Sequence, residues 1–189
     1  AIGMDSRIGS SFLKTSVGFG GSCFQKDLLN LVYIARSLGL NKVAGYWEQI
    51  LIINKHQRDR FSNKIINHIK ENNFESKVLI LGWAFKKNTN DSRESASIYV
   101  ANNLLNSDIE IQIYDPKVKE EQINFDLSNL NPDYNKSIVN FANQPFLNIS
   151  DYNMVVIMTE WDEFKNYDWD KIYSLIKKPA HVFDGRNIL

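Results

Sequence analysis

A single cysteine follows a run of glycines and precedes a helical pattern, in the segment Gly18-Phe19-Gly20-Gly21-Ser22-Cys23-Phe24-Gln25-Lys26-Asp27. The thiolate is the nucleophilic form of cysteine, and a helix N-terminus or a neighbouring cation favours it. Both are within reach here. The helix dipole directs its positive end at the sulfur, and Lys26 lies three residues on. Asp27 is four residues from Cys23, one helical turn, which places a carboxylate to handle a proton or a water molecule beside the sulfur. A lone cysteine is more often a small buried apolar residue, but a glycine-lined polar loop is a poor place to bury an inert thiol. The glycines also give backbone that can approach a ligand closely, since they carry no Cβ.

Two further clusters carry cations. Gly82-Trp83-Ala84-Phe85-Lys86-Lys87, running on to Asp91-Ser92-Arg93-Glu94-Ser95, lies just beyond an apolar run. Lys86, Lys87 and Arg93 suit diphosphate oxygens, and a helix opening near Glu94 adds amide donors. A solvated loop with ordinary charges is the competing reading. The dinucleotide fingerprint G-x-G-x-x-G is absent. Phe183-Asp184-Gly185-Arg186 follows the last apolar run, and Arg186 there suits substrate hydroxyls or phosphate. Asp115 is placed like the ribose-binding acid of a dinucleotide fold, or it simply terminates its strand. His56, His68 and His181 show no metal-ligand spacing and read as surface or structural residues, so no metal site is expected.

The elements that must position these residues follow from periodicity. Leu28, Leu31, Val32, Ala35 and Leu38 share one helical face, and Gly39 stops that helix. A longer helix runs from about Val43 to Asn72, about 40 Å at 1.5 Å per residue. Trp47, Ile50, Leu51, Asn54, Phe61, Ile65 and Ile69 lie on its inner stripe, with Lys55, Gln57, Arg58, Asp59 and Lys64 opposite. A small domain does not cover so long a stripe, so part of it is expected to meet a second subunit. From Ser76 onward strands and helices alternate: strands at 77–81, 110–114, 154–158 and 181–183, helices at 95–105 and 168–177, and an irregular polar stretch over 117–143. The expected fold is α/β: a helical segment over 1–75 with one long helix, then a Rossmann-like parallel sheet with helices on both faces over 76–189.

The remaining composition narrows the partners. Lys plus Arg and Asp plus Glu both count 22, which gives no net attraction to nucleic acid or an anionic membrane. No apolar run approaches the roughly 20 residues of a membrane span. One cysteine permits no internal disulfide, which fits a reducing, cytoplasmic setting. The start, Ala1-Ile2-Gly3-Met4-Asp5, has no signal-peptide pattern and no initiator Met, and reads as the interior of a longer protein.

Taken in order along essentially the whole chain, these clusters resemble the nucleotide-sugar 6-dehydrogenase family. Gly18 to Asp27 is the most specific motif and is similar to the UDP-glucose 6-dehydrogenases of the eukaryotic-type branch. Gly82 to Lys87, Arg93-Glu94-Ser95, Tyr114-Asp115-Pro116-Lys117, Thr159-Glu160-Trp161 and Phe183 to Arg186 fall in the family's places. The resemblance implies oxidation of the C6 hydroxyl of UDP-glucose to a carboxylate with two NAD⁺, through a thiohemiacetal and thioester on Cys23, with Asp27 assisting. It assigns Lys14, Thr15, Ser16, Val17, Gly18, Phe19 and Gly20, with Phe85, Lys86 and Arg186, to the sugar nucleotide. It assigns Arg93 and the segment Cys23, Phe24, Gln25 and Lys26 to the NAD side, and Arg7 to the sugar site of a neighbouring subunit in a homo-oligomer.

The family's NAD-binding domain is not within these residues, nor are its Lys, Asn, Thr and Glu groups for proton transfer and hydrolysis. The chain alone is therefore expected not to turn over. Competing expectations are a binding or co-assembling fragment, a dehydrogenase for a different nucleotide sugar, and a flavodoxin-like module. The last leaves the cysteine loop unexplained.

Overall fold

In the computed structural model, residues 2–11 and 13–189 are described. A short 3-10 turn lies at Ile2–Met4, and helix α1, Phe24–Ser37, is followed by the 32-residue helix α2, Asn41–Asn72. At 1.5 Å per residue α2 is about 48 Å long, and its two halves have different neighbours. The first half packs on α1 through a small cluster of Val32, Ala35 and Ala44 with Trp47 at its edge. The second half sends Ile65, Ile66 and Ile69 into the main core.

That core is a five-stranded parallel sheet flanked by helices. Its strands are β1 (Lys77–Leu81), β2 (Glu110–Tyr114), β3 (Val139–Phe141), β4 (Met154–Ile157) and β5 (His181–Asp184). The spatial order is β3-β2-β1-β4-β5. Val78 pairs with Ile111 on one side of β1, and Leu79 pairs with Val155 on the other. Every residue of β4 is buried, as expected of a central parallel strand covered on both faces. Helices α3 (Ala96–Leu105), α4 (Glu120–Leu130), α5 (Asp162–Lys165) and α6 (Trp169–Leu175) fill the connections. Ser95 caps α3 by accepting from the Ser97 amide, and Asp168 caps α6 by accepting from Lys171. Strand order reverses between β1 and β4, so their carboxyl ends form the crevice where open α/β sheets take ligands.

The α/β class and the parallel sheet agree with the sequence pattern, and three local readings differ. The stretch 117–143 contains α4 and β3: Ile123 and Leu127 bury one narrow face of a helix, and an edge strand of three residues needs little apolar sequence. Leu31 and Leu38 are 37% and 67% exposed, because the seam between α1 and α2 is only as wide as its small residues allow. Arg58, read as an outer-face residue of the long helix, is 4% exposed, drawn inward by main-chain acceptors of two loops. No helix among the described residues is long and apolar enough to cross a membrane.

Candidate active site

The loop before α1 is tied down at each step. Ser16 Oγ donates to the Gly18 carbonyl at 2.7 Å and accepts from an Arg186 amino group at 2.6 Å. Val17 turns inward and is buried against Gly185 and the main core. The Phe19 amide donates to Asn54 Oδ1 at 2.9 Å, and its carbonyl accepts from Asn54 Nδ2 at 3.1 Å and from Arg58 at 2.7 Å. The glycines here are required by contacts with the protein itself. A Cβ on Gly18 would sit 2.5 Å from Asn54 Oδ1, and one on Gly20 would sit 2.5 Å from the Glu94 carbonyl oxygen. The next amide, of Gly21, donates to the Arg93 carbonyl at 2.7 Å. The cysteine loop is thus laid between α2 and the loop that joins β1 to α3.

Cys23 emerges from this clamp as the N-cap of α1, free and exposed. Its carbonyl accepts from the Asp27 amide at 2.9 Å, so the two residues are one helical turn apart. Phe24, Lys26 and Asp27 face solvent and Gln25 is half-buried. The Phe24 ring packs edge-on to Phe19 with centroids 4.6 Å apart. Arg93 is exposed on the adjoining loop, where Asp91 holds its guanidinium through two bonds of 2.9 and 2.8 Å. That pairing raises the Arg93 pKa, with a smaller contribution from the nearby Cys23 sulfur, and it lowers the Asp91 carboxyl.

On the other side of the loop lies a cleft of about 320 Å³ lined by Lys14, Thr15, Lys87, Glu160, Arg186 and Asn187, among others. Its floor is an ion pair: Arg186 meets Glu160 at 2.7 Å with both side chains largely enclosed. Burial lowers the Arg186 pKa, opposed by Glu160 and by Asp184. Lys87 is committed to Asp162 at 2.6 and 2.8 Å, and that bond depresses the Asp162 carboxyl. Lys14 and Lys86 form no ion pair within 4.0 Å among the described residues. Phe85 touches the cysteine loop at Gly20 and Gly21 and Lys87 lines the cleft, so Lys86 stands on the stretch that joins them, exposed beside the Phe85 ring. The arrangement offers an exposed thiol, a carboxylate one turn on, and cations at a crevice wide enough for part of a phosphorylated ligand.

The expected site residues fall into groups. Lys14, Thr15 and Arg186 converge at the cleft, with Ser16 joined to it through its bond with Arg186, and Cys23, Phe85 and Arg93 meet around the glycine loop. Arg7 stands apart near the N-terminus, its exposed guanidinium paired with Asp5 at 2.7 Å. Asp115 is a strand-end staple. Its carboxylate accepts from the amides of Trp83, Ala84, Lys117 and Val118 and from the Trp161 indole. A cavity of about 710 Å³ lies beyond the ends of β2 and β3, lined by Asp115 but by none of the residues expected to hold the sugar nucleotide or NAD. Sequence reasoning did not single out Arg58, Glu94 or Glu160 as groups that shape the site. One signal was available, since Asn54 interrupts an apolar stripe and a buried amide needs partners.

The UDP binding domain of the UDP-glucose/GDP-mannose dehydrogenase family matches residues 79–189, and the central domain of that family matches residues 1–56. The UDP-glucose 6-dehydrogenase of Drosophila melanogaster is 49% identical over the whole chain, which spans 40% of that protein. The Pongo abelii UDP-glucose 6-dehydrogenase is 48% identical, again over all of this chain and 39% of its own length. A UDP-glucose dehydrogenase structure from the hyperthermophilic archaeon Pyrobaculum islandicum superposes with a TM-score of 0.74 at 28% identity, covering 99% of this chain and 39% of the other.

Proposed function

Because the chain belongs to the UDP-glucose/GDP-mannose dehydrogenase family, we propose that it supplies the cysteine and sugar-nucleotide portion of an NAD-dependent UDP-glucose 6-dehydrogenase. The observation that carries this reading is the juxtaposition, through one clamped glycine loop, of exposed Cys23 with a cation-lined cleft at the strand-order reversal. Residues 1–75 form the helical portion and 76–189 the UDP-sugar-binding portion.

In this reading the diphosphate lies near Lys14 and Lys86, and Arg186 is oriented toward the sugar nucleotide by Glu160. Cys23 adds as thiolate to the C6 aldehyde, giving a thiohemiacetal. Loss of hydride from C6 leaves a thioester, and water cleaves it to release the carboxylate and the thiol. Asp27, one turn from the sulfur, holds the proton or the water. NAD, when bound, supplies the hydride acceptor for each of the two oxidations. Arg93 and the exposed first turn of α1, with the open ring of Phe24, fit one wall of such a site.

The chain spans about 40% of the length of the curated relatives it matches, and turnover is assigned to the longer assembly. The apolar residues left outward on the helical portion, among them Tyr33, Ile34, Tyr46, Ile52 and Ile53, suit contact between copies in a homo-oligomer. A neighbouring copy would then receive Arg7 at its sugar site. The cytosol is the proposed setting for an exposed free thiol with this role.

Turnover tests the reading. The longer protein carrying these residues should convert UDP-glucose with two NADH per sugar and lose that conversion with Cys23→Ala, while these 189 residues alone should give no sustained NADH. Normal turnover by Cys23→Ala would remove the cysteine from the mechanism.

A further inference from the structure

Arg58 is a buried cation that no assignment above uses. It projects from α2 with its side chain 5% exposed. One amino group donates to the Phe19 carbonyl at 2.7 Å and to the Glu94 carbonyl at 3.0 Å. Its guanidinium carbon lies 4.0 Å from the centre of the Tyr99 ring. The nearest carboxylate oxygen, on Glu94, is 4.0 Å away and accepts instead from the Tyr99 hydroxyl at 2.5 Å. Burial and that bond raise the Tyr99 pKa to about 12, so the hydroxyl stays protonated and keeps Glu94 in place.

A buried guanidinium is costly unless its charge is paired or hydrogen-bonded. Here the short bonds go to the main chains of two different loops. Glu94 adopts a left-handed φ of +55°, and its carbonyl faces both Arg58 and the glycine at position 20. Without the guanidinium, the direct main-chain tie between those loops is the Gly21–Arg93 bond.

We propose that Arg58 is a positioning residue that fixes the Cys23 loop against the loop carrying Phe85, Lys86 and Arg93. The inference rests on Cys23 being the nucleophile. Misplacement of a reacting group by about 1 Å costs on the order of a hundredfold in rate, so loosening this clamp should slow attack by Cys23 on a bound electrophile more than it weakens binding.

The test is alkylation of Cys23 by a UDP ester bearing a terminal chloromethyl ketone, with iodoacetamide as an untethered control. Arg58→Met should lower the limiting rate with the UDP reagent by about tenfold or more, leaving its saturation constant and the iodoacetamide rate within about twofold. Arg58→Lys, which keeps the charge and a donor on a shorter side chain, should recover part of the loss. Urea midpoints confirm that each variant is folded, and Arg58→Lys carries the test if Arg58→Met does not fold. An unchanged limiting rate in folded variants overturns the proposal. So does a loss of saturation constant, limiting rate and urea midpoint together, which marks a purely structural residue. A parent chain in which the UDP reagent never saturates and alkylates Cys23 no faster than iodoacetamide refutes the reading that Cys23 serves a sugar-nucleotide site, and this inference with it.

Discussion

Replacing Asp115 with alanine should cost more stability than any other single carboxylate change in the chain. Its Oδ2 accepts from the Trp83 amide at 2.6 Å, the Ala84 amide at 3.0 Å and the Trp161 indole at 3.1 Å. Oδ1 accepts from the amides of Lys117 and Val118 at 2.8 and 2.9 Å. Trp83 and Ala84 are fully buried and Trp161 is 5% exposed, so water does not readily replace the lost acceptor for these three donors. At about 1–3 kcal/mol for each orphaned buried donor, the cost is roughly 3–9 kcal/mol. A typical domain has only about 5–15 kcal/mol in hand. Asp115→Asn keeps one acceptor oxygen and turns the other position into a donor facing donors, so it should lose roughly half as much. Urea unfolding followed by tryptophan fluorescence measures both, since Trp83 and Trp161 report on the staple. A loss below about 1 kcal/mol for Asp115→Ala would refute the staple. If stability held while nucleotide binding failed, Asp115 would be a ligand-binding acid after all.

Further expectations concern the loop, the histidines and the outer helix faces. Gly20→Ala places a methyl against the Glu94 carbonyl, and should speed amide exchange at Gly21 and weaken UDP-glucose binding. Unchanged exchange would mean the loop accommodates the methyl without moving. His181 packs edge-to-face with His68, ring centroids 4.4 Å apart, beside Phe74, and burial, then His68, lowers its pKa from the ordinary 6.5. The unfolded chain then binds more protons just below pH 6.5, so this contribution is complete above that pH and is lost as pH falls toward the native value. His181→Phe should flatten the fall in urea midpoint between about pH 7.5 and about pH 5, and an identical slope would contradict the burial argument. Ile52→Asp with Tyr33→Asp should reduce the mass seen by sedimentation if the outward faces of α1 and α2 join copies. No change at any concentration would place that contact elsewhere.

How much of this was legible in the sequence depended on the strength of each local signal. Strands β1 and β4 are short apolar runs, and β2 sets Ile111 and Ile113 either side of Gln112 between Glu110 and Tyr114; the burial of all three leaves little room for another reading. The stretch holding α4 and β3 gave no such signal, because Ile123 and Leu127 alone anchor the helix and the strand sits at a sheet edge. Cys23 and Arg186 stood out by residue type and by position at element boundaries. The clamp that orients the first and the ion pair that holds the second depend on residues far apart in the chain. Arg58 reaches across 36 positions to Glu94, and Arg186 across 170 to Ser16. Periodicity also misjudged Arg58, since a helical wheel places a cation outward unless the acceptors that draw it in are known.

UDP-glucose binding to the purified chain, measured by calorimetry with GDP-mannose as control, tests the central claim most directly. Saturable binding of UDP-glucose, weaker for GDP-mannose and lost on Lys86→Ala or Arg186→Ala, is the predicted result. UDP-glucose binding that both substitutions leave intact would contradict the site described here, and equal affinity for the two sugar nucleotides would contradict the substrate.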